Sequence, residues 1–262
     1  MKSVVALKHL QARLFLHAVF PTLDDVIKAS PKAQTLLKDN GFSLCFRTRS
    51  GLRASYFFKT TGCEYIAGDS QTGIELMFLS DGQAAATFFE KPALPPLPLK
   101  GFSALGKMKT FIALTKEMES WLKPSDEQLA DENFRQVFAP MSIGLALRAT
   151  CQLCVAERKS REWLASGPQG LAAFQLGESG TPRWINFVSG ALKSGTGEPP
   201  TEPAVRVIFK DSTIAANAVL NRLDSMAAVG RGDIKIVGLA PLADHLNALM
   251  ERVQGFIDPP KS

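Results

Sequence analysis

Val205-Arg206-Val207-Ile208-Phe209-Lys210-Asp211 and Gly232-Asp233-Ile234-Lys235-Ile236-Val237-Gly238 are the stretches on which the fold turns. The first is an apolar run ended by an acidic turn. The second alternates apolar and polar residues between two glycines, so both read as strands. An alanine-rich helix to Leu223 separates them, and Pro241 to Phe256 follows as a closing helix with Leu242, Leu246, Leu249 and Val253 at i, i+4, i+7 and i+11. A helix that starts directly after a strand and carries one apolar stripe must fold back across that sheet.

The same order can be traced earlier in the chain. Phe42 to Thr48, a tight turn at Ser50-Gly51, Arg53 to Lys59 and Ile74 to Leu79 read as a β-meander. Asp81 then opens a helix through Ala84, Ala85 and Phe88. Gly41 to Gly51 matches Gly170 to Gly180 at a constant offset with both Ser-Gly turns aligned, and Leu76 to Asp81 corresponds to Arg206 to Asp211. The chain is therefore expected to be an internal duplication.

Helices lead into each half. Residues 3 to 20 form an amphipathic pattern with Val4, Leu7, Leu10 and Leu14, ended by Pro21. Thr22 is placed to cap a second helix that runs through Val26 and Ile27 to Leu36 and Leu37, where Asn40-Gly41 stops it. Pro92, Pro95, Pro96 and Pro98 enforce an extended connection before the helix Lys107 to Leu122. Lys123-Pro124-Ser125 is the boundary, with Ser125 and Gln128 forming a capping box. Beyond it, one helix leads to Val137-Phe138-Ala139-Pro140, echoing Val19-Phe20-Pro21, and a second continues to Ser166. The expected domains are 1–124 and 125–262.

The C-terminal order of strand, acidic turn, short helix, Gly-x-hydrophobic-x-hydrophobic-x-Gly strand and Leu/Met-rich helix resembles the sterol carrier protein 2 family. The resemblance implies an α+β fold of two tandem sterol-carrier-like domains, each a mostly antiparallel sheet covered by helices, and it is clearer in the second half. In the first half the proline run replaces a connection, and Gly101 to Gly106 lacks the charged alternation of Asp233 and Lys235. The resemblance further implies an apolar cavity between sheet and closing helix for a fatty acyl, sterol-like or isoprenoid-type lipid. Phe209, Leu220, Leu223, Ile236, Leu242, Leu246, Leu249 and Met250 are the candidate lining. The same residues would serve equally in a filled core. The alternatives are a non-catalytic accessory or substrate-presenting module of an enzyme system, and a structural protein with a closed core.

Composition sets the outer limits. With 262 residues, 45% hydrophobic and 21% charged, the chain is too apolar for disorder and too interrupted by charge for membrane insertion. Lys8, His9, Gln11 and Arg13 interrupt the apolar start that a secretory leader requires, so a cytoplasmic protein is expected. The charge is uneven: 16 basic against 10 acidic residues up to Pro124, then 14 against 15, which makes the first half +6 and the second −1. Peripheral contact of residues 1–124 with an anionic membrane is one consequence, and nucleic acid is not expected.

No catalytic constellation is legible, and the expectation is a protein that is not an enzyme and uses neither cofactor nor metal. Cys151 and Cys154 are spaced like a redox or metal pair but lie inside a helical stretch without further ligands, so they read as reduced structural thiols, as do Cys45 and Cys63. His9, His17 and His245 fall on separate helices, with His245 expected on the solvent side beside Asp244. Asp24-Asp25 reads as helix capping.

Overall fold

A computed structural model describes residues 2–38, 41–70, 72–89, 94–104 and 106–257. Asn40, Pro92 and Leu105 lie outside the described residues, as do the side chains of Val4 and Phe88. The chain divides into two compact units, Met1–Lys123 and Pro124–Ser262.

The first unit opens with α1 (Lys2–Leu14), followed without a break by a π-helical turn (Phe15–Val19), a 3₁₀ turn (Phe20–Thr22) and α2 (Leu23–Ala29). The expected stop at Pro21 is therefore a change of pitch. In the wider turn the Phe20 N–H bonds to the Phe15 carbonyl, and the next carbonyl, that of Leu16, would look to residue 21, which is a proline without an N–H. The buried Tyr56 hydroxyl donates to that carbonyl instead. Thr22 does not cap: its backbone is helical and its hydroxyl donates to the Ala18 carbonyl at 3.3 Å. The expected continuous second helix is split, because Ser30 precedes a proline and adopts an extended conformation. Its side chain caps α3 (Pro31–Leu37) by accepting from the Ala33 N–H at 3.2 Å.

Strands β1 (Phe42–Thr48), β2 (Arg53–Lys59), β3 (Gly62–Ala67), β4 (Ile74–Phe78) and β5 (Leu97–Lys100) form one sheet in the order β3-β2-β1-β4-β5. The meander holds for β1 to β3 only, since β4 returns parallel to β1. Of the expected extended connection, Leu97–Lys100 with Pro98 inside it is itself a strand, at the sheet's edge. Helix α4 (Asp81–Phe89) follows β4, and α5 (Lys107–Leu122) closes the unit. Phe46, Tyr56 and Phe78 share the sheet's buried face and meet Phe20 and Phe111 from the helices, with the Phe20 and Phe111 rings 5.5 Å apart.

The second unit contains α6 (Asp126–Ala130), α7 (Glu132–Ala156), α8 (Arg158–Ser166), β6 (Gly170–Leu176), β7 (Arg183–Phe187), β8 (Lys193–Thr196), β9 (Val205–Phe209), α9 (Ser212–Val219), α10 (Ser225–Gly230), β10 (Ile234–Gly238) and α11 (Ala240–Ile257). The Ser125–Gln128 capping box is present at α6. Pro140 does not divide the helices as expected: α7 runs through it and ends only at the extended Glu157. A proline inside a helix costs about 3 kcal/mol. Here Phe138, Ala139, Met141 and Ile143 are buried around it, and their burial offsets that cost. By length and composition α7 could cross a membrane, yet 61% of its apolar window is buried, as in the core helix of a globular unit. The strand order is β10-β9-β6-β7-β8 with β6 parallel to β9, the same connectivity as in the first unit.

A candidate apolar site beneath the closing helix

In the second sheet, pairing aligns Phe209 with Ile234 and Val207 with Ile236, so these four and Val205 point to one face. Helix α11 lies across β6, β9 and β10 and also packs on α7. Its Leu242, Leu246, Leu249 and Val253 are all buried. The far end of α11 is anchored by Arg252, whose guanidinium donates to both carboxylate oxygens of Glu157, at 2.7 and 2.5 Å. That pairing, against the opposing effect of burial, holds the Glu157 carboxyl below its ordinary range.

The eight candidate residues divide into two groups. Phe209, Leu242, Leu246 and Leu249 are fully enclosed between sheet and helix. Leu220, Leu223, Ile236 and Met250 are only half-buried. The turn after α9, between Leu220 and Leu223, is tied to the last turns of α11: Asn221, in the left-handed region at φ 53°, donates from Nδ2 to Gln254 Oε1 at 2.8 Å. Helix α10 packs on β10, and its Met226 is 82% exposed. Unbranched, polarizable methionines adapt to varied apolar shapes.

His245 departs from the expected solvent-facing position. Its ring packs edge-on to Trp163 at 5.2 Å and tilts against Phe187 at 5.6 Å. It sits so close to Gly167 that a Cβ there would overlap the imidazole. Nε2 is buried without a hydrogen-bond partner among the described residues. It is Asp244 that is exposed. The sequence did hold a signal for this: His245 lies three residues after Leu242 and four before Leu249, beside the buried stripe.

Elsewhere the titratable groups are tied into structure. Asp24 pairs with Lys28 at 2.7 Å and accepts the Cys63 N–H at 3.0 Å, so it links α2 to β3 and does not act as a cap. Asp81 receives Ser50 Oγ at 2.5 Å and His9 Nδ1 at 2.8 Å, joining α1, the Ser-Gly turn and α4. His17, within the π-helical turn, is hydrogen-bonded to the Tyr65 hydroxyl at 2.6 Å. Burial, reinforced by Arg13 and His9, lowers its pKa to about 4. Cys151 and Cys154 lie in the last turns of α7, and burial pushes both thiols up to about 12. Among the described residues no group of three or more His, Cys, Asp or Glu side chains is placed to hold a metal ion.

No protein-family model and no curated protein matches this chain. Among solved structures, the chain is similar to the sterol carrier protein domain 2 of Helicoverpa armigera, at 20% identity and a TM-score of 0.33, over 42% of this chain and 85% of that one. It is similar to sterol carrier protein 2 like 2 of Aedes aegypti at 19% identity and a TM-score of 0.29, covering 42% and 95%. A stereoselective inverting sec-alkylsulfatase of a Pseudomonas species matches at 12% identity and a TM-score of 0.27, covering 63% of this chain and 35% of that one.

Proposed function

We propose that this protein is a non-catalytic cytoplasmic carrier of an apolar ligand, a fatty acyl, sterol-like or isoprenoid-type lipid. The ligand is held between the sheet and the closing helix of the second unit. The observation that carries the reading is that α11 lays its apolar stripe across the sheet while Leu220, Leu223, Ile236 and Met250, in the turn after α9, on β10 and on α11, stay half-buried. An apolar surface left half in water beside an enclosed one gains free energy when an apolar molecule covers it. Each methylene buried contributes about 0.8 kcal/mol, so a sixteen-carbon chain gains on the order of 12 kcal/mol before association and ordering costs. Micromolar binding then requires no polar recognition. The common strand order of the two sheets supports the companion reading, that the units are sterol-carrier-like domains arisen by internal duplication.

Native mass spectrometry of the purified protein, followed by organic extraction, identifies any co-purifying lipid. Titration with a fluorescent fatty acid measures affinity directly. Leu246→Trp enlarges a side chain enclosed under α11 and is expected to abolish binding with the fold intact. If the wild-type protein binds no acyl or sterol probe at micromolar concentration, and Leu246→Trp costs only the roughly 1 to 3 kcal/mol of an overpacked core, the carrier reading fails.

A further inference from the structure

The edge of the first sheet carries an apolar surface that the ligand site does not use. Leu94, Leu97, Leu99 and Phe102 follow one another along β5 and the turn after it, and Leu79 lies at the end of the neighbouring strand β4. All five are exposed, Leu94 by 61% and Phe102 by 65%. Contacts to the backbone hold the segments that carry them together. Leu97 pairs with Met77 of β4, while the Gln83 side chain accepts the Leu79 N–H at 2.6 Å and donates to the Leu94 and Pro95 carbonyls at 3.1 and 3.0 Å. Five large apolar side chains exposed at one sheet edge mark an interaction surface.

Two features decide what covers it. An exposed edge strand normally invites another strand, but Pro98 lies inside β5 with Pro95 and Pro96 just before it. These residues lack the N–H groups that a continued ladder would need. Basic residues lie on this segment, follow it in the chain or bond to the end of β4: Lys100 on β5, Lys109 on the first turn of α5, and Arg49, whose N–H bonds to the Phe78 carbonyl, are exposed and make no ion pair among the described residues. Among the described residues, the carboxylates of β4 and of the start of α4 are engaged, Glu75 by Arg47 and Asp81 by His9 and Ser50. From this geometry we infer that the edge from Leu94 to Phe102 docks on an anionic lipid bilayer, its leucines and phenylalanine entering the interface and its basic residues meeting the headgroups. This names the face through which a carrier would meet its membrane. It rests on the carrier reading only for its purpose, since ligand capture is measured without vesicles and either property can fail alone.

The test is sedimentation of the full chain with phosphatidylcholine vesicles, with and without phosphatidylserine, at low and high salt. Binding is expected only to the anionic vesicles and is expected to weaken with salt. Phe102→Asp should weaken it by about tenfold or more. Removing each of Lys100 and Lys109 by Lys→Gln should weaken it about 5-fold. Phe102→Trp should be quenched by brominated lipid. Anionic vesicles that leave the wild-type protein in the supernatant would overturn the inference. So would equal binding by the wild type and Phe102→Asp, or a salt-insensitive dimer that Phe102→Asp dissociates in place of vesicle binding.

Discussion

His17 is expected to make the first unit sensitive to mild acid. Its imidazole is buried within the π-helical turn, next to Arg13 and hydrogen-bonded to Tyr65, and its pKa falls from 6.5 to about 4. The unfolded chain therefore takes up a proton below about 6.5 that the folded chain refuses until about 4, and stability present at neutral pH is lost as the pH falls through that window. With these two values the loss between about pH 8 and about pH 5 is about 2 kcal/mol, rising toward about 3 kcal/mol in stronger acid. His17→Gln keeps a hydrogen-bonding partner for Tyr65 but cannot titrate, so the difference between the two proteins isolates His17 from His9 and His245. Urea unfolding at the two pH values should show the wild type losing about 2 kcal/mol more than His17→Gln. The imidazole resonances should show no titration until well below the ordinary histidine range. Equal pH slopes in the two proteins, or a His17 resonance titrating at its ordinary value, would refute the reasoning.

Gly101 turns the chain from β5 into the Phe102 turn at φ 80°, where a Cβ would overlap the Gly73 carbonyl oxygen. Gly101→Ala should cost roughly 1 to 3 kcal/mol and loosen β5 from β4, seen as faster amide exchange at Leu97 and Leu99. Cys151 and Cys154, with pKa values near 12, should fail to react with a disulfide reagent in the folded protein at mildly alkaline pH and react fully in denaturant. Rapid modification of the native protein would contradict their burial.

What the sequence determined by itself was what local pattern controls. The stripe Leu242, Leu246, Leu249 and Val253 places one face of α11 against the sheet, because side chains at helical spacing share a face whatever surrounds them. The alternation in Asp233 to Val237 and the Ser125–Gln128 box act within a few residues and appear as read. The split of the candidate lining into enclosed and half-buried groups was not legible, since it depends on where the α9–α10 turn meets α11, through Asn221 and Gln254 far apart in the chain. Nor were β3, β7, β8 and β10's partners, because short strands draw their stability from neighbours and hardly from their own composition. The two prolines show the same limit most plainly. Val-Phe-Pro at residues 19–21 and Val-Phe-Ala-Pro at residues 137–140 look alike. The first rearranges the helix, with Tyr56 taking the Leu16 carbonyl, and the second is absorbed in an unbroken helix whose Phe138, Ala139, Met141 and Ile143 are buried. A proline removes one donor in either place, and only the tertiary structure decides whether another group comes to that carbonyl or packing makes up the loss.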